Sequence, residues 1–310
     1  MKLGVINHWS WVGLIATCGC LVIKPIVQPL PLHSQSLIPH TLNLDFSNLE
    51  KQGLSLARDA AQLAQFQQYD LALSRARLAA ELSPKAYQTQ AVLGSIYLRK
   101  EKYAEAIAAL SKANELKANN PGVLFALGAA YLRQGKYESA VQTLKQGLAI
   151  SPKENTAIFD LGNAYFQLKR YDTAIAEYQK ILSADQTFWA ATNNIGLIEY
   201  ERGNISLAMR QWQKALDVAN SLEDRGAAEP KLAIAVVTYR QGNQAKGLQL
   251  GTEALNADPR YGQLEFLKEN LWGDKLLAEA QQVLQDPILK EIVEASVQVN
   301  PRQRRRQMQR

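Results

Sequence analysis

Three consecutive stretches decide the fold: YQTQAVLGSIYLRKEKYAEAIAALSKANELKANN (residues 87–120), PGVLFALGAAYLRQGKYESAVQTLKQGLAISPKE (121–154) and NTAIFDLGNAYFQLKRYDTAIAEYQKILSADQTF (155–188). Laid over one another they align Leu93-Gly94, Leu127-Gly128 and Leu161-Gly162, and Ile195-Gly196 follows at the same spacing of 34. A fixed period of that length is the mark of stacked helical units. Extending the register gives 53–86, 87–120, 121–154, 155–188, 189–222 and, after an insertion from Glu223 to Ala227, 228–261. Numbering each unit from 1, position 8 reads Ala60, Gly94, Gly128, Gly162, Gly196, Ala235, and position 20 reads Ala72, Ala106, Ala140, Ala174, Ala208, Gly247. All of these are small. With 42 Ala and 18 Gly in 310 residues, chance does not produce that agreement.

The pattern inside a unit is helical. In 121–154, Leu124, Leu127 and Tyr131 share one face at i, i+3, i+7. Gly135 sits in a turn as a C-terminal cap, and Tyr137, Ala140, Val141, Leu144 and Leu148 make a second apolar face that Ser151-Pro152 stops. Small residues at positions 8 and 20 let the two helices approach. Tyrosines at 11 (Tyr97, Tyr131, Tyr165) and 17 (Tyr69, Tyr103, Tyr137, Tyr171) fill the space between them. Each pair keeps an open apolar face and buries it on the next pair, so the array is a solenoid.

These residues resemble the tetratricopeptide repeat (TPR) family, closely over 87–188 and more loosely at 53–86, 189–222 and 228–261. Asp59, Glu199 and Gln244 depart from its pattern. The resemblance implies an all-α, right-handed helix-turn-helix solenoid of six repeats over 53–261, with a helical cap at 262–300. It also implies a non-catalytic protein that holds a protein or peptide partner in a groove lined by positions 2, 5, 9, 12 and 13 of the first helices. Carried onto this chain, the groove residues are Arg99, Phe125, Arg133, Phe159, Asn163, Phe166, Asn193, Asn194, Tyr200, Tyr239 and Arg240. Such large apolar groups on a groove face water unless a partner covers them. The carboxylate clamp of chaperone-binding relatives is not complete. Asn163 and Asn194 match its amides, but Phe159, Glu229 and Ala233 stand at its cationic positions.

Composition agrees with a binding role. Both cysteines (Cys18, Cys20) and all three histidines (His8, His33, His40) precede Thr41. The body therefore has no disulfide framework, no Cys/His zinc site and none of the common nucleophile–base pairs. No metal or cofactor is expected and the chain reads as a non-enzyme; the enzyme alternative left is one that uses only carboxylate, Ser, Lys or Tyr chemistry. The formal charge of +6 sits at the ends: Lys2 and Lys24 in residues 1–24, and Arg302, Arg304, Arg305, Arg306 and Arg310 in 301–310. Between them, 28 basic residues face 29 acidic ones, which excludes a basic nucleic-acid-binding body. The basic tail, 301–310, reads as a solvated disordered end or, alternatively, as a contact for anionic lipid.

An apolar run from Trp9 to Ile23 follows Lys2 and ends at Lys24-Pro25. Residues 3–23 are expected to enter a membrane. Segment 1–32 is then a single-pass signal-anchor, or a signal peptide cleaved near Ser34-Gln35-Ser36, or a lipoprotein signal around Cys18. Residues 33–52 follow as a polar tether, and the repeats face the non-cytoplasmic side, periplasmic or luminal after cleavage. One anchor ahead of such repeats is also similar in architecture to the membrane-bound TPR proteins of photosynthetic bacteria and plastids. Those assist photosystem assembly or dock protochlorophyllide reductase.

Overall fold

A computed structural model describes residues 46–222 and 227–298. The expected membrane segment, the tether as far as residue 45 and the basic tail lie outside the described residues. Among the described residues no helix is long and apolar enough to cross a membrane. All of them belong to one unit, Asp45–Arg310.

That unit is built of antiparallel helix pairs: α1 (Phe46–Gln65) with α2 (Tyr69–Leu82), α3 (Tyr87–Arg99) with α4 (Tyr103–Leu116), and α5 (Pro121–Arg133) with α6 (Tyr137–Ile150). The series continues with α7 (Asn155–Gln167) and α8 (Tyr171–Ala184), α9 (Trp189–Glu201) and α10 (Ile205–Ser221), and α11 (Ala228–Arg240) and α12 (Gln244–Ala257). Each second helix also packs on the first helix of the next pair, which makes the stack continuous. A 3₁₀ turn (Pro259–Gly262) then leads to α13 (Leu264–Glu269), α14 (Asp274–Val283) and α15 (Pro287–Gln298).

Every turn between paired helices carries one left-handed residue, always at position 15: Gln67, Glu101, Gly135, Lys169, Gly203 and Gly242, with φ between 56° and 99°. Glycine adopts that conformation freely, and the other three do so against the steric preference of a Cβ.

Position 8 is tight for a definable reason. A Cβ on Gly94 or Gly128 would lie 2.5 Å from Cγ of Leu110 or Leu144, and one on Gly162 would lie 2.5 Å from Cε1 of Tyr178. One on Gly196 would meet Trp212 at the same distance. Those partners all stand at position 24. Where position 8 is alanine, position 24 is small as well: Ala76 opposes Ala60, and Gly251 opposes Ala235. The two positions share one volume, and close packing fixes its total. The alanines at position 20, Ala106, Ala140, Ala174 and Ala208, have no exposed surface.

The cap departs from the expectation that 262–300 simply closes the end of the stack. Only α15 does that, packing on α12 with Leu289 over Gly251. The α14 helix turns back and packs on α9 and α11.

Candidate functional site

The groove positions behave differently along the array. In the first three repeats α1, α3 and α5 line a cavity of about 670 Å³. Its walls are Ala61, Ala64, Ala91, Val92, Val123 and Ala126, with Gln65, Gln88, Ser95 and Asn120 supplying amides and a hydroxyl, and Tyr69 and Tyr87 at its edge. Arg99 is the charged residue of this lining. Among the described residues it makes no ion pair or side-chain hydrogen bond. Its neighbour Lys100 is taken up by Asp70 at 2.5 Å. The small side chains Ala61, Ala64, Ala91, Ser95 and Ala126 are what leave the space.

From Phe125 in the third repeat onward, most of the expected groove residues are engaged within the stack. Phe125 packs its ring on Gly147 of α6. Phe159 is half-buried, its ring 5.6 Å from Tyr178 and 5.3 Å from Phe188. Phe166 is buried against Tyr171 at 5.7 Å. Each ring finds an aromatic or glycine partner inside the stack, Phe166 fully and Phe125 and Phe159 with part of their surface still exposed. Asn163, Asn193 and Asn194 are buried too. Asn163 accepts from the Tyr178 hydroxyl at 2.7 Å and from Asn194 at 3.0 Å, and Asn193 donates to Asn194 at 3.2 Å. The amides hold one another.

The chain itself covers Tyr200. Its hydroxyl donates to Glu279 of α14 at 2.5 Å, and Lys275 lies 4.7 Å over its ring. Tyr239 is half-buried and reaches Asp286 at 3.4 Å. Of the expected groove set, Arg99, Arg133 and Arg240 remain exposed.

Two carboxylates in this region are perturbed. Glu229 is buried on α11 and accepts from Trp272 Nε1 at 3.2 Å and from the Tyr261 hydroxyl at 3.5 Å. Burial pushes its carboxyl up to about 7, and the donors Asn193, Trp272 and Tyr261 offset only part of that. Asp160 on α7 is raised to about 6 by burial, with the Arg133 guanidinium acting in the opposite direction. Among the described residues no cluster of three or more His, Cys, Asp or Glu is disposed to hold a metal ion.

The repeated helix pairs, the left-handed turn residue at position 15 and the first-helix cavity define a helical repeat protein. Comparison with known proteins gives the family. A tetratricopeptide repeat model matches residues 125–187 and a TPR repeat model matches 94–135. Residues 94–187 are therefore tetratricopeptide repeats.

Solved structures agree on the fold. The pilF structure of Pseudomonas aeruginosa is 16% identical with a TM-score of 0.55, covering 71% of this chain and 97% of that one. A MamA crystal structure is 22% identical with a TM-score of 0.50, covering 56% and 93%. MamA from Desulfovibrio magneticus RS-1 is 18% identical with a TM-score of 0.50, covering 57% and 97%. At these identities the likeness is one of fold. No curated protein sequence matches the chain.

Proposed function

We propose that this chain is a non-catalytic scaffold that holds an extended segment of a partner protein in the cleft between α1, α3 and α5. The observation that carries the reading is the cavity of about 670 Å³ at groove positions, walled by small apolar side chains and edged by Arg99. Apolar walls take up alternate side chains of an extended segment, the amides bond its backbone, and Arg99 orients it by pairing with a carboxylate. The repeats act as a membrane-associated assembly or adaptor factor, held by residues 3–23, with the arginines of 301–310 against anionic lipid. The support for this is the apolar run behind Lys2 and the neutral body. The second reading, an exported periplasmic adaptor, follows from the same run if it is cleaved.

The test is capture from detergent-solubilised membranes with full-length protein and two variants. Ser95→Arg fills the cleft at position 9, and Ser206→Arg alters an exposed residue of α10. A partner retained by wild type and Ser206→Arg but lost by Ser95→Arg supports the cleft. A partner retained by all three places binding elsewhere. Resistance of the full-length protein to carbonate washing supports the anchor, and a mature N-terminus near Leu37 would replace it by cleavage.

A further inference from the structure

Equivalent groove positions are open at one end of the array and filled at the other. At position 13 of the second repeat, Arg99 lines a cavity, with Ser95 of the same helix beside it. At positions 12 and 13 of the fifth, Tyr200 and Glu201 are bound by α14. The way Glu201 is bound is that of a ligand contact. Gly273 occupies the N-cap of α14 and has no side chain to satisfy the first N–H groups. Glu201 supplies the missing oxygens from another helix, accepting from the N–H of Leu276 at 3.2 Å and of Lys275 at 3.4 Å. A carboxylate at a helix N-terminus is also favoured by the helix dipole. Gly273 makes the approach possible, because a Cβ there would lie 2.3 Å from Glu201 Cδ.

The segment is also tethered independently of its own docking. After α14, α15 is seated on α12 and on the 3₁₀ turn. Before it, the 3₁₀ turn is held to α12. Within it, α13 and α14 are six and ten residues long, too short to be stable helices alone. They are joined through Leu271, whose φ of 67° a branched side chain resists.

We infer that Leu264–Val283 is an internal ligand of the groove. It closes the fifth and sixth repeats to external partners, and its release uncovers a second surface that takes an amphipathic helix of the same chemistry. Both flanks stay anchored when it leaves, so release does not require the repeats to unfold. The inference does not depend on what occupies the cleft between α1, α3 and α5.

The experiment uses full-length protein in detergent and a fluorescein-labelled synthetic peptide of residues 264–284. Leu276→Ala with Glu279→Ala loosens the resident segment and leaves every residue of α9 and α11 in place. The peptide is expected to bind this variant at least tenfold more tightly than wild type, since the wild-type surface is occupied. Equal binding to both, or binding to neither with the variant's helical circular dichroism intact, overturns the inference. Binding in the N-terminal cleft would give equal affinities and so is told apart. Should the variant fail to fold, amide hydrogen exchange on wild type decides. The inference expects α14 to exchange at least tenfold faster than α9 and α11. Exchange of all three together, as one unit, overturns it.

Discussion

A Cβ on Gly196 would lie 2.5 Å from Nε1 of Trp212, a side chain with no exposed surface. Nε1 and Cδ1 of the indole stand where any other residue would carry a side chain. This pair is the largest member of a series in which position 24 grows only where position 8 is glycine. Gly196→Ala should therefore destabilise the protein despite the helix propensity of alanine. Propensity favours the change by about 1 kcal/mol, and overpacking opposes it by about 1–3 kcal/mol. Thermal melting should fall for Gly196→Ala, and adding Trp212→Leu should recover part of the loss, since Leu is the partner of glycine in two other repeats. Loss that simply adds in the double variant would show that the two positions do not share a volume.

Position 15 offers the converse test. Glu101 holds a φ of 59° where Gly135, Gly203 and Gly242 stand in other repeats. Glu101→Gly should stabilise the fold by about 0.5–1 kcal/mol, the left-handed strain of a Cβ less the added entropy of the unfolded chain. Denaturant midpoints at unchanged m-value measure it.

Stability should depend on pH through Glu229. Its carboxyl titrates near 7 in the fold and near 4.5 in the unfolded chain. Between those values the folded protein keeps a proton that the unfolded chain has released, so stability falls as pH rises from 4.5 to 7. Asp160, raised to about 6, acts in the same direction. The Glu229 contribution is on the order of 3 kcal/mol at most. Melting temperatures at pH 5 and pH 8 should differ in wild type, and Glu229→Gln should reduce the difference and raise the value at pH 8.

Phe159 and Phe166 are packed among rings, so their loss should read out as stability. Phe166→Ala, with its side chain buried, should cost roughly 3–5 kcal/mol, and Phe159→Ala somewhat less because it is half-buried. Partner capture by whatever fraction stays folded should be unchanged. Loss of capture at an unshifted melting temperature would return these rings to the binding surface.

The repeat was legible because it is local: Leu-Gly pairs 34 apart fix a register that every helix pair then obeys. The complement of Gly94, Gly128, Gly162 and Gly196 was equally present in the sequence, as Leu110, Leu144, Tyr178 and Trp212, each sixteen residues on. The occupant of the groove was not legible, because docking of α14 joins residues such as Glu201 and Leu276 that no period connects. Its trace was the contrast between repeats. Positions 9 and 12 are Leu197 and Tyr200 in the fifth, where the second has Ser95 and Leu98. Apolar groove positions announce a cover, and in the fifth repeat α14 of the same chain supplies one.

The account stands on where a partner touches the array. Benzoylphenylalanine placed at residue 95 in α3, and separately at residue 206 in α10, can be photolysed in native membranes and the adducts identified by mass spectrometry. A partner cross-linked from residue 95 and not from residue 206 is the predicted result. A partner cross-linked from 206 and absent from 95, with both variants folded and membrane-bound, would contradict the cleft between α1, α3 and α5 as the binding site.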